Sequence, residues 1–266
     1  ILMAPLPGLP MIGHGQVEGF REKYGMEFRK PKWEETPNEG LVKGHEWKVF
    51  PLLHKRRIFA EVENFLLYDF YTPEGHVNED VFALSNRLGD ERGLVVYHNK
   101  YAGTRGWVKT SAAFMDKAGG TLVQRTLAEG LALPTDGFAI FRDYVTHLEY
   151  IRPCRELVEQ GLYVDLGGYQ CHAFLDWRFA TDDGGRWTEV YRALGGAGVE
   201  SVQGKYDELF APKVEQEVKS KKGKGTRKVA GAKQAVASKK TASAKKSAAK
   251  GKAAGKKKPA AQKKSE

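Results

Sequence analysis

Only two cysteines occur in the 266 residues, Cys154 and Cys171, and their spacing suits neither a disulfide framework nor a thiolate metal or redox site. They read as ordinary thiols of a reducing compartment. No run approaches the roughly 18 apolar residues of a membrane span. The opening Ile-Leu-Met-Ala-Pro-Leu-Pro-Gly lacks the basic start and long apolar core of a secretion signal. A cytoplasmic location is expected. The seven histidines, His14, His45, His54, His76, His98, His147 and His172, include no His-x-x-x-His pair, so no metal is expected, and no cofactor.

A sharper deficit lies at the C-terminal end. Residues 219–266 contain no Leu, Ile, Phe, Tyr or Trp and a single acid, Glu266, against 18 Lys and Arg, a formal +17. Such a segment has almost nothing to bury against the entropy of fixing its backbone, and a disordered tail is expected. Residues 1–218 hold all 29 aromatics and a formal −7, with 25 basic residues against 32 acidic. The net +10 of the whole chain is thus a basic tail on an acidic body able to build a core.

Within the body, residues 9–15 (Leu-Pro-Met-Ile-Gly-His-Gly) are an apolar run ending in glycines and predict a buried strand opening into a loop. Residues 16–38 are charged, contain Pro31 and Pro37, and predict a long surface loop. Leu41, Val42, His45 and Val49 recur at helical spacing. Pro51, tolerated only in a first turn, predicts a second helix through Leu52, Leu53, Ile58 and Phe59. From about residue 64 the pattern becomes short runs rich in Val, Tyr, Phe and Leu at 65–71, 81–86, 93–99, 106–114 and 122–126, separated by Pro-Glu-Gly, Leu-Gly-Asp and Ala-Gly-Gly. These predict an antiparallel β module. A helix is expected over 149–160, strands over 162–164 and 170–177, and a weaker helix around 190–194. No repeat of solenoid length stands out.

The most unusual local sequence is Gly13-His-Gly-Gln-Val-Glu-Gly, which sets His14, Gln16 and Glu18 among glycines. Donors and acceptors at close backbone approach suit polyol hydroxyls. The same composition also suits a plain Gly-rich turn with solvated side chains. Glu34-Glu35 and Asp182-Asp183 read as solvated turns. Trp33, Trp47, Trp107, Trp177 and Trp187 suit core packing as well as sugar stacking.

Three segments together carry a resemblance. Gly8-Leu-Pro-Met-Ile-Gly-His-Gly-Gln-Val-Glu-Gly resembles the last barrel strand and turn of the α-amylase superfamily of glycoside hydrolases. His45-Glu-Trp-Lys-Val-Phe-Pro-Leu-Leu-His-Lys-Arg-Arg-Ile-Phe-Ala resembles its final barrel helix. Phe65-Leu-Leu-Tyr-Asp-Phe-Tyr, Val81-Phe-Ala-Leu-Ser-Asn-Arg and Leu94-Val-Val-Tyr-His-Asn are similar to the start of its C-terminal β domain. Val17 separates Gln16 from Glu18, whereas the family's turn has the corresponding pair adjacent.

The resemblance implies an α+β chain: the last strand and helices of a (β/α)8 barrel over 1–63, a mainly antiparallel C-terminal β domain with one helix over 64–195, a linker over 196–218 and the disordered tail over 219–266. It implies α-glucan or oligosaccharide as the ligand of the parent barrel, with His14, Gln16 and Glu18 as candidate substrate contacts. It also implies what is missing. The family's Asp nucleophile, Glu acid/base and third Asp come from earlier strands, and no Arg-x-Asp or His-Asp occurs here; Arg142 and Asp143 are directly adjacent. The chain, opening at Ile1 without an initiator Met, is therefore expected to be the C-terminal part of a glycosidase and inactive alone.

The tail resembles those of linker histones. Its lysines, among them Lys221, Lys222, Lys239, Lys240, Lys245, Lys246, Lys256, Lys257 and Lys258, suit non-specific, salt-dependent contact with nucleic acid or another polyanion, without the aromatic stacking that single strands favour. The alternative reading of the whole chain is accordingly a nucleic-acid-associated architectural protein. A solubilising extension is the plainer reading of the tail itself.

Overall fold

The computed structural model describes residues 1–22, 29–116 and 119–211; the basic tail lies outside the described residues. Asn38 caps helix α1 (Glu39–Lys48) by accepting from the Leu41 amide at 3.1 Å. Pro51 sits in the first turn of α2 (Phe50–His54), as its missing N–H requires, and a 3-10 turn (Arg56–Phe59) follows.

The body is then β1 (Leu66–Tyr71), β2 (Val81–Leu88), β3 (Glu91–His98), β4 (Thr104–Ser111), β5 (Phe114–Asp116), β6 (Thr121–Val123), α3 (Leu127–Leu131), β7 (Phe138–Asp143), β8 (Glu149–Pro153), α4 (Cys154–Glu159), β9 (Leu162–Leu166), β10 (Cys171–Ala180), α5 (Arg186–Leu194) and α6 (Val202–Phe210). Eight strands form one sheet in the order β8-β7-β10-β3-β2-β1-β4-β9, every pair antiparallel, and β5 with β6 forms a separate hairpin. The fold is α+β and mostly antiparallel sheet. No helix among the described residues is long and apolar enough to cross a membrane.

Successive side chains point to opposite faces of a strand, and here both faces are covered. On one face Val81 and Ala83, Leu94 and Val96, Phe141, Phe174 and, from β9, Leu162, Val164 and Leu166 share a core. Strands at opposite ends of the order contribute to it, so the sheet curls on itself. On the other face Leu84, Val95, Ala173 and Leu175 pack against Leu52, Ile58 and Phe59. Phe138, Ile140 and Ile151 meet Val190 and Val202 of α5 and α6.

The helix-to-sheet junction is close. A Cβ on Gly93 would stand 2.4 Å from Phe59 Cζ, so only glycine admits that ring over β3. The Asn86 side chain, 1% exposed, donates to the Glu61 carbonyl at 2.7 Å.

Three expectations are corrected. Residues 9–15 are not a strand: Leu9 and Met11 are 88% and 78% exposed, and no described strand pairs with them, so an extended run there has no partner for its amides. Arg56 instead ties the N-terminal segment down by donating to the carbonyls of Ala4 and Gly8. Residues 149–153, expected as the first turns of a helix, are β8, with Pro153 starting α4. The buried Glu149 carboxylate explains the strand: it accepts from Arg142 at 2.8 Å, from Arg178 at 2.7 and 3.0 Å and from the Val202 amide at 2.9 Å, joining β7, β8, β10 and α6. Residues 202–210, expected within a linker, form α6, whose Val202 is fully buried.

Candidate functional site

The turn carrying the predicted residues is closed by its own groups. Gln16 Oε1 accepts from the Gly13 amide at 3.0 Å, the Gln16 amide donates to Gly13 O at 3.2 Å and Glu18 O accepts from the Asn38 amide at 2.8 Å. His14 lies 5.8 Å from the Phe20 ring and lines a 210 Å³ cleft with Trp33, Glu22 and Glu35. Gln16 and Glu18 are not among the residues lining that cleft. Two of its three carboxylates, Glu22, Glu34 and Glu35, hold the loop together: Glu22 accepts from the Lys32 and Trp33 amides at 2.8–2.9 Å, and Glu35 from the Arg21 and Glu22 amides at 3.0 Å.

A second site was not anticipated from the sequence. Asp143, at the end of β7 and fully buried, accepts from the amides of Ala173 (2.9 Å), Val145 (3.0 Å) and Thr146 (3.3 Å), from Thr146 Oγ1 (2.7 Å) and from His172 Nδ1 (2.8 Å). Burial pushes its carboxyl upward, but the hydrogen bonds from His172 and from the Ala173 and Val145 amides outweigh burial and hold it below the usual carboxylate range. With Nδ1 donating to Asp143, His172 Nε2 accepts from Gln170 Nε2 at 3.3 Å. Gln170 Oε1 in turn accepts from the Gly167 amide at 2.7 Å. A chain of hydrogen bonds thus runs from the core to the 167–170 turn between β9 and β10. Its signal in the sequence was an acid and a histidine embedded in the apolar runs Phe-Ala-Ile-Phe-Arg-Asp143 and Cys171-His-Ala-Phe-Leu.

His172 and Gln170 face a 350 Å³ cleft where the curled sheet brings its outer strands together, Tyr150 and Arg152 from β8 opposite Tyr163 and Asp165 from β9. Arg152 donates to the carbonyls of Ile151 and Gly196 at 2.8 and 3.0 Å, and burial lowers the pKa of its guanidinium. Aromatic walls with a few convergent polar groups suit a small polar ligand. Among the described residues the cleft is lined by no Ser, Thr or Cys and by one carboxylate, Asp165, so they assemble in it neither a Ser, Thr or Cys nucleophile with its base nor the two facing carboxylates of a glycosidase. Among the described residues no three of His, Cys, Asp and Glu cluster to hold a metal ion.

These features define a curled, antiparallel α+β body with polar clefts at its loop and its seam. No family model matches the chain, and no curated protein sequence matches it. Among solved structures it is similar to CldA, described as the first cyclomaltodextrin glucanotransferase with a three-domain ABC distribution, at a TM-score of 0.36 and 14% identity over 66% of this chain and 31% of that one. It is also similar to a variant of AmyP in complex with maltotriose, at a TM-score of 0.30 and 12% identity over 58% of this chain and 23% of that one. The chain spans less than a third of the length of either.

Proposed function

We propose that this chain is the C-terminal part of an α-amylase-type glycoside hydrolase of α-glucan metabolism, comprising the last turn and helix of the catalytic barrel and the β domain that follows, and that it hydrolyses nothing by itself. The observation that carries the reading is the junction between the segments bearing the resemblance. Phe59, from the helix segment, lies against Gly93 at the start of the strand segment, and Asn86 seals the joint through Glu61. Motifs that are separate words in the sequence are thus packed as one unit. The Gly13–Glu18 turn and the His14 cleft then belong to the substrate side of the parent barrel, and the 18 Lys and Arg of residues 219–266 serve contact with polyanions such as nucleic acid.

The test is turnover. The full chain incubated with maltoheptaose is expected to release no new reducing ends, and joining it to a preceding barrel is expected to restore release. Steady hydrolysis by the 266-residue chain alone would refute the assignment.

A further inference from the structure

Tyr101 and Tyr169 are a surface feature that the proposed function does not use. They are 86% and 56% exposed, yet their rings lie 6.1 Å apart with planes tilted by 33°. Tyr169 occupies the left-handed region at φ 54°, a conformation glycine adopts freely and a bulky side chain only under strain. Two glycines precede it, Gly167 and Gly168, but the strained position itself holds a tyrosine.

The two loops are fastened together. The Tyr169 amide donates to Lys100 O at 3.0 Å, buried His98 donates through Nδ1 to Gly167 O at 3.1 Å, and the Asp143–His172–Gln170 chain fixes the Gly167 amide. A Cβ on Gly168 would stand 3.2 Å from Tyr101 Cα, so the glycine lets the loops approach. Nearby stand polar side chains of both kinds: Asn99, which accepts from Tyr97 at 3.3 Å, and the Lys100–Asp80 ion pair at 2.7 Å.

We infer that Tyr101 and Tyr169 form a stacking platform for two successive pyranose rings of an oligosaccharide, outside any catalytic cleft. A pyranose presents an apolar C–H face and a rim of hydroxyls, which matches an aromatic face edged by donors and acceptors. Successive rings of an α-linked glucan are turned relative to one another, as the two tyrosines are. Fastening the two loop backbones together in the free protein lowers the ordering cost of binding, which gives the strain at Tyr169 a purpose. The α-linkage rests on the α-glucan reading proposed above; the stacking does not.

Calorimetric titration of the full chain with maltoheptaose, cellohexaose and a proline-rich peptide tests this, using Tyr101→Ala and Tyr169→Gly. The expected result is maltoheptaose binding weakened about tenfold by each tyrosine substitution. Y169G should melt no lower than the parent, since glycine relieves the strained backbone, so its loss of binding is not a loss of fold. Cellohexaose bound with the same tyrosine dependence would uphold the platform and overturn the α-glucan reading. Tyrosine-independent binding, the absence of saccharide binding, or tyrosine-dependent capture of the proline-rich peptide alone would overturn the platform.

Discussion

Asp143 offers the severest test of how this body is held together. Asp143→Ala removes the acceptor of five hydrogen bonds. The Ala173 amide, on a residue with no exposure, and His172 Nδ1 are left without a partner, and each stranded group costs about 1–3 kcal/mol. The total expected is about 3–5 kcal/mol. In a body of this size that lowers the melting temperature by roughly 8–15 °C. Asp143→Asn keeps an acceptor for Ala173 and Val145 but presents an amide donor to His172, forcing the imidazole proton to Nε2, where it meets the Gln170 amino group. Gln170 must then turn, and the Gly167 amide loses its acceptor. D143N is therefore expected to cost about 2 kcal/mol and to speed hydrogen exchange at Gly167. Urea unfolding and amide exchange measure both. A D143A protein destabilised by under about 1 kcal/mol would refute the network as an element of stability. The same carboxylate sets an acid limit. Because the pKa values of Asp143 and Glu149 are depressed in the folded state, their contribution is complete above the unfolded values near 4 and is lost as pH falls through the folded ones.

Gly93→Ala places a methyl 2.4 Å from the Phe59 ring and is expected to cost about 1–3 kcal/mol by overpacking; an unchanged melt would mean the helix segment does not seal the sheet. Cys154, fully buried with its thiol pushed up to about 11 by burial, should resist a thiol reagent at pH 8 until denaturant is added, and rapid native labelling would contradict its place in the core. Chymotrypsin finds none of its preferred side chains in residues 219–266, so early cuts report on the body. They are expected near the exposed Leu9, Met11 and Trp33, and first cuts within 65–195 would contradict the packing described. Duplex DNA binding in gel shifts should weaken log-linearly with salt and vanish when 219–266 are deleted; tight binding by the truncated chain would place the contact elsewhere.

The sequence disclosed this architecture where its local signals were unopposed. Helix α1 followed from Leu41, Val42 and His45, the start of α2 from Pro51, and the β2–β3 hairpin from two apolar runs around Gly89-Asp90. Strand β7 escaped because both of its faces are covered, Phe141 facing one core and Ile140 another, so Phe-Ala-Ile-Phe shows no alternation. Strand β8 was misjudged because Tyr150, Ile151 and Cys154 also fit a helical stripe; the pairing with β7 and the Glu149 ion pairs decide it. Residues 9–15 had the composition of a strand without a neighbour to pair with. The Asp143–His172 chain and the tyrosine pair join residues far apart in the sequence, and only the curled sheet brings them together. The turn residues His14, Gln16 and Glu18 were singled out by composition, which does not reveal that Gln16 closes its own turn.

The reading frame immediately upstream of the Ile1 codon tests the central claim most directly. That frame is expected to run on into a barrel supplying, in order, an Arg-x-Asp nucleophile strand, a Glu acid/base and a His-Asp strand before the Gly13–Glu18 turn. An uninterrupted upstream frame without those three elements would contradict it.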